Sequence, residues 1–491
     1  MPSIKALNQL EVDCSYLSLP PHLYQKVQPK PLKNAHLISF NPAVAQLLDL
    51  DACGINPSEI VAYFGQGALL NGSVPLAMKY SGHQFGIYNP ELGDGRGVLL
   101  GEVVNSVGER WDLHLKGAGQ TAYSRMGDGR AVLRSSIREY LVSEAMFALG
   151  IPTTRALCLL GSEEYTLREG MEPCALVLRV TQCHIRFGHF EHLYHTRQHE
   201  DLKHLADYCI DRYFPAAKHA KNPYLAMFEV IQDRSINMVA RWQAYGFVHG
   251  VMNTDNMSIL GETFDYGPYT FLDEFRLDHV SNHTDHQGRY AFHRQPDIVL
   301  WNLSCLAQSL LPLIEREPLI ALLDGYAEAY KTAYYNQMRK RLGLVLSLVS
   351  DIELIDELIK LANAQRIDLN RFFRDLSYFD ETTDLGLSRC LRHFKNPLLA
   401  TDWMLAYSLR LDQETLTDLE RQRKMLNINP CYILRNYMLE EAIREAHQGD
   451  YRLVNRLLKV IRAPFDERDE DADYANEPPD WASGICLSCS S

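Results

Sequence analysis

The sequence predicts an α+β chain of two lobes, with an arm before them and a helical extension after them, on the strength of three observations. Residues 97–180 run strand, strand, helix, strand, strand; residues 200–248 turn helical; and a polar loop rich in Asp and Asn, 249–267, follows at once. The expected divisions are an N-terminal wrapping arm (1–75), a small lobe (76–185), a large lobe holding the polar loop (186–330), a helical extension (331–465) and an acidic tail (466–491).

The arm mixes short apolar groups with Pro and Gly and predicts little regular structure. "GVLLGEVV" (97–104) is the first strong strand signal. After "NSVGE" comes "RWDLHLKG", where Trp111, Leu113 and Leu115 alternate with Asp112, His114 and Lys116, so a hairpin with one buried face is expected. "SSIREYLVSEAMFALG" (135–150) sets Ile137, Tyr140, Leu141, Ala145 and Ala148 at helical spacing, with Ser136 as N-cap and Gly150 as stop. "TRALCLLGS" and "CALVLRV" form a second strand pair. A polar stretch (276–297) and mainly helical segments to about 462 follow. Eight acidic residues and one Arg between 466 and 480 predict an extended tail.

Composition narrows the class. With 46% hydrophobic residues in 491, the chain can bury a large core, and a formal charge of −13 argues against coating nucleic acid or anionic membrane, so a phosphate site must be local. The longest aliphatic stretch, "LGLVLSLV" (342–349), falls well short of the about 20 residues that span a bilayer. The N-terminus lacks an apolar leader core, and eleven cysteines lie scattered apart from Cys486-Leu-Ser-Cys489. These features read as a bacterial cytoplasmic protein with reduced thiols and no nucleic-acid or membrane partner.

The chemistry concentrates in a few motifs. "HGVMNTDNMSILGETFDYG" (249–267) resembles the catalytic strip of protein kinases, with Asp265-Tyr266-Gly267 in the place of their metal-binding Asp-Phe-Gly, but its Asp255 and Asn256 are adjacent. A short hairpin, "MSILGETF", is expected to bring Asn256 and Asp265 to one mouth as metal ligands and leave Asp255 free as base; an Asx-rich turn is the bland alternative. Gly93, Gly95 and Gly97 with Arg96 precede a strand, suiting either backbone approach to phosphate or a tight turn. Lys116 and Glu139 stand in kinase order for a lysine and its helix-borne partner; exposed, unrelated side chains are the other reading. Arg179 and Arg186 suit a phosphate clamp, against ordinary surface arginines. His184, His189, His192, His195, His199 and His204 crowd one stretch, read as a polar helix face rather than a metal site because the set has no Cys or second-motif anchor.

Together, "KYSGHQFG", "LGDGRGVLLGE", "LHLKGAGQTAYSRMGDGRAVLRSSIREYL", "RFGHFEHL", "YGFVHGVMNTDNMSILGETFDYGPYTFLDEF", "GRYAFHRQP", "WNLSCLAQSL", "RNYMLEEAI" and the closing "CSS" closely resemble the selenoprotein O family, also called YdiU, over nearly the whole chain. The resemblance implies a protein-kinase-like bilobal fold that binds ATP in a flipped orientation and transfers AMP to Ser, Thr or Tyr hydroxyls of proteins, releasing diphosphate. It implies ATP and Mg2+ or Mn2+ as cofactors, hydroxyl-bearing proteins as partners, and allows self-modification. A phosphotransferase, or a nucleotide-binding scaffold without turnover, is the alternative. By the same resemblance Asp255 is the base; Asn256 and Asp265 hold metal; Gly93, Gly95, Arg96, Lys116, Asp128, Gly129, Arg179, Arg186 and Asp265 hold the nucleotide; and Glu139 partners the lysine. Members commonly carry a Cys before the Asn-His-Ser/Thr-Asp run that bridges to the C-terminal region. Ser281 stands there in this chain, so that bridge lacks a partner, while Cys486 and Cys489 form a Cys-x-x-Cys of their own, either a redox pair or two idle thiols.

Overall fold

A computed structural model describes residues 4–380 and 384–488. Its centre is a large antiparallel sheet. In chain order the strands are β1 (Tyr24–Lys26), β2 (His36–Phe40), β3 (Leu76–Gln84), β4 (Ile87–Gly93), β5 (Gly97–Val104), β6 (Arg110–Lys116), β7 (Arg155–Leu167) and β8 (Met171–Thr181). The hydrogen-bonded order is β1-β3-β5-β6-β8-β7-β2, with β4 paired to β3. The arm therefore supplies a strand at each end of this path, which is how an irregular segment comes to wrap the sheet.

The β5–β6 hairpin forms in the expected place, Gly97 opposite Lys116 and Val104 opposite Arg110. Its expected burial on one face is corrected: both faces are covered. Leu113 and Leu115 pack with Leu7, Leu10, Val44, Leu48 and Phe64 of the arm, while Asp112, His114 and Lys116 on the other face are also buried. Alternation here separates an apolar contact face from a polar working face.

Helix α1 (Leu133–Ala148) crosses that working face, burying Ile137, Tyr140 and Leu141 completely. Gly150 ends it as expected, at φ +72° with its N–H on the Phe147 carbonyl. Ser136 is not the N-cap. The helix starts from Val132, directly out of the two-residue strand Ala131–Val132, and has no capping side chain.

Helix α2 (Phe187–His195) leads into the helical half, whose main strut is α3 (Pro223–Tyr245). Asn222 caps α3, its Oδ1 accepting from the Tyr224 and Leu225 N–H groups at 3.1 Å each; Pro223 occupies the first turn and Gly246, at φ +69°, closes it. The chain then enters β9 (Phe247–Val248), which pairs with β10 (Thr270–Phe271). This two-residue clasp ties off the loop 249–269.

Within the loop, 257–264 does not form the expected hairpin. Ser258 bridges to Arg186 and Thr263 to Thr153, so each arm is claimed by a different neighbour. The acidic tail is likewise docked rather than extended: Arg374 pairs with Glu467, Arg371 with Glu477, and Arg456 and Arg468 with the fully buried Asp471. Leu487 bridges to Asn282, so the tail runs beside Ser281. Cys489 lies outside the described residues, so the Cys486–Cys489 pairing is not addressed. Among the described residues no helix is long and apolar enough to cross a membrane.

Candidate active site

Between the sheet and the clasped loop lies a cleft of about 620 Å3. Gly93, Gly95, Arg96, Lys116, Asp128, Gly129, Arg179, Arg186, Asp255, Asn256 and Asp265, distributed over 173 positions of sequence, all line it. Seven cationic side chains (Arg96, Lys116, Arg125, Arg130, Arg168, Arg179, Arg186) face four carboxylates (Asp94, Asp128, Asp255, Asp265) there, so an acidic protein carries a locally basic pocket.

The reading of Lys116, Glu139, Arg179 and Arg186 as exposed surface groups is overturned; all four are buried. Lys116 Nζ donates to Glu139 Oε2 of α1. Arg179, from the end of β8, reaches Glu139 Oε1 at 3.5 Å and Asp265 Oδ1 at 2.5 Å, and Arg186 reaches Asp265 Oδ2 at 2.5 Å. Burial alone would raise the Asp265 carboxyl; Arg186, Arg179 and Lys116 instead hold it well below the usual range, and it stays ionised. Its backbone sits at φ +57°, a left-handed conformation that Asp tolerates better than most residues.

Asp255 is the counterpart. It lies in a short turn (Thr254–Asn256), 8% exposed. Gln84 Nε2 donates to Oδ2 at 3.3 Å, while Oδ1 has no hydrogen-bond partner. Burial pushes this carboxyl up to about 7, only partly opposed by Arg186. Two aspartates ten positions apart are thus set at opposite ends of the carboxylate range, one a permanent anion and one titrating near neutrality. Asn256, beside it, donates its amide to the Val251 carbonyl at 2.9 Å.

The loop is held from behind. His249 N–H donates to Gln295 Oε1 at 2.9 Å, Gln295 Nε2 donates to the Phe247 carbonyl at 2.8 Å, and Trp242 Nε1 donates to Thr263 Oγ1 at 2.9 Å. β3 also approaches closely: His83 N–H donates to Thr254 Oγ1 at 2.7 Å.

The glycine-rich stretch forms the tight turn and lines the cleft. Residues 94–96 turn tightly between β4 and β5, and at Gly93 (φ +149°) a Cβ would fall 2.6 Å from the Tyr123 ring, so the missing side chain admits the loop 121–129 over the cleft. Gly129 (φ +73°) is more restricted, a Cβ there meeting the Gly119 carbonyl carbon at 2.1 Å. Asp128 is fixed by Arg168, whose two Nη groups donate to its two oxygens at 2.9 Å each.

Several contributors escaped the sequence reading. Arg179 Nη2 donates to His114 Nδ1 at 3.1 Å, which makes that nitrogen an acceptor; His114 is therefore neutral, with Nε2–H donating to Asp94 Oδ2 at 3.1 Å. Burial lowers its pKa in the same sense. The signal was available in the Asp112/His114/Lys116 alternation. Gln84 and Arg168 left none. The histidine stretch divides: His184, His189 and His192 are buried, whereas His195, His199 and His204 are exposed, so it is not one polar face.

The cation-lined cleft, with one ionised and one near-neutral aspartate, sits on a mixed sheet-and-helix scaffold whose relatives are nucleotidyltransferases. The chain belongs to the SelO family of protein adenylyltransferases, whose model, "Protein adenylyltransferase SelO", matches residues 6–462. It is 57% identical over 496 residues to a protein nucleotidyltransferase YdiU of Hahella chejuensis (100% of this chain, 99% of the relative). The YdiU proteins of Pseudomonas aeruginosa strain LESB58 and Aliivibrio salmonicida are 48% and 47% identical, each match covering 99% of this chain and 100% and 99% of the relative.

Proposed function

We propose that the chain has a kinase-like bilobal architecture divided as its sequence suggests, and transfers AMP from ATP to Ser, Thr or Tyr hydroxyls of proteins, its own included. The observation that carries this reading is the pairing of Asp255, near neutrality with an unpartnered oxygen, with Asp265, clamped by two arginines in the same cleft.

Arg96, Lys116, Arg179 and Arg186, with the Gly93–Gly95 backbone, hold the phosphates in a flipped orientation, α-phosphate toward Asp255. Asp128 and Gly129 meet the nucleoside. Asp255 takes the proton of the acceptor hydroxyl as its oxygen bonds the α-phosphorus; the bond from that phosphorus to the α–β bridging oxygen breaks, and diphosphate leaves. Asn256 and Asp265 fit Mg2+ or Mn2+: both offer hard oxygen donors in one cleft, and a carboxylate has lone pairs to spare beyond those its arginines use. When bound, the metal neutralises charge on the phosphates and on the departing diphosphate.

The test is incubation of the purified protein and a lysate with ATP labelled at the α- or the γ-phosphate, with either metal. Label on protein from α-labelled ATP alone, lost in Asp265→Ala, is expected. Label from γ-labelled ATP alone would make the enzyme a phosphotransferase, and binding without either label would make it a scaffold.

A further inference from the structure

A second cluster is formed by residues that do not line the nucleotide cleft. Glu191 and His195 are four residues apart on α2, which sets them on one helix face, and His83 comes from β3. One ligand atom from each lies within 4.8 Å of the others. His83 Nδ1 is 2.5 Å from Glu191 Oε2. Tyr88 and Trp301 wall the site, their rings 4.1 Å from His195 and 5.2 Å from His83.

Charge is what makes the cluster informative. Glu191 is fully buried, and among the described residues its only ion-pair partner is His83; no Lys or Arg reaches it. Its other oxygen, Oε1, has no hydrogen-bond partner. A carboxylate taken out of water needs full compensation, and one imidazole hydrogen-bonded to one of its oxygens does not supply it. A divalent cation would.

We propose that His83, Glu191 and His195 bind a Zn2+-class cation. Two imidazoles and one carboxylate are the donor set such ions favour, at about 2.0–2.2 Å from each ligand, whereas Mg2+ prefers an all-oxygen octahedron. Tetrahedral ligands lie about 3.3 Å apart, so the His83 and Glu191 atoms must part and the His195 atom move in, by shifts of about 1 Å. His195 is exposed, which lets its ring make them. The ion joins β3 to α2 at the residue whose N–H holds Thr254 and whose neighbour, Gln84, holds Asp255. It is a positioning device for the catalytic turn, distinct from the nucleotide's metal.

The test uses the untagged full-length chain, stripped with chelator and free of nucleotide, loaded with Zn2+ and counted by elemental analysis, then with Co2+ and read by its visible absorption. One ion per chain, a tetrahedral Co2+ spectrum, retention in millimolar Mg2+ and at least tenfold weaker binding in His195→Ala are expected; that variant sits on the surface and leaves the core intact. Asp265→Ala should bind Zn2+ as the wild type does. No Zn2+ bound at about 10 µM, equal binding by His195→Ala, or loss in Asp265→Ala would overturn the proposal.

Discussion

Replacing Asp255 with Asn removes a charge at nearly constant shape, and the structure sets the effect on stability. Burial raises this carboxyl from an ordinary 3.8 to about 7. A folded-state pKa above the unfolded value means that the native protein holds the proton more tightly, so the cost of ionising it is absent below about pH 4, grows across the interval and is complete above about pH 7. At about 1.4 kcal/mol per pKa unit the ceiling is about 4 kcal/mol. The amide's own hydrogen bonds add a constant, which cancels in a difference between two pH values. From about pH 5.5 to about pH 8.5, the stability of Asp255→Asn relative to wild type should therefore rise by about 2 kcal/mol, flattening above about pH 7. Urea unfolding of both proteins across that range, followed by tryptophan fluorescence, measures it. A gap that stays constant, or closes as pH rises, would show that Asp255 is not held protonated by its surroundings.

Three further outcomes follow from the same geometry. Gln84→Ala deletes a donor that favours ionised Asp255, so the midpoint of the pH–rate profile should move upward and kcat should fall several-fold at neutral pH, recovering at higher pH. Lys116→Met should cost about 3 kcal/mol in urea unfolding, near the low end for a broken buried pair because Arg179 still reaches Glu139, and adding Glu139→Gln should restore much of the stability but not the activity. Gly188→Ala should lower the melting temperature sharply, since its Cβ would fall 2.0 Å from the Ser81 carbonyl oxygen and wedge α2 from β3, whereas Gly170→Ala, with open space around it, should be silent.

Much of the fold was legible because its signals are local. Alternation marked β5 and β6, helical spacing and Gly150 marked α1 and its end, and the kinase-like order of Lys116 and Glu139 pointed to two residues that do meet. Where the reading failed, a partner distant in sequence had decided the outcome. The 257–264 segment had hairpin composition but bridges to Arg186 and Thr153 instead. The acidic tail read as solvated until Arg371, Arg374 and Arg456 were found beneath it.

The sequence by itself determined the residue types that phosphate chemistry needs, their order, and the family to which the chain belongs, because those are written in short motifs. Only the tertiary structure decided their states. Asp255 and Asp265 are the same residue ten positions apart, and nothing local distinguishes a carboxyl near neutrality from a permanent anion. The difference arises because Arg179 and Arg186, 86 and 79 positions away in the chain, close on one carboxylate, while the other is buried with only the Gln84 amide on its side chain and Arg186 offsets just part of that burial.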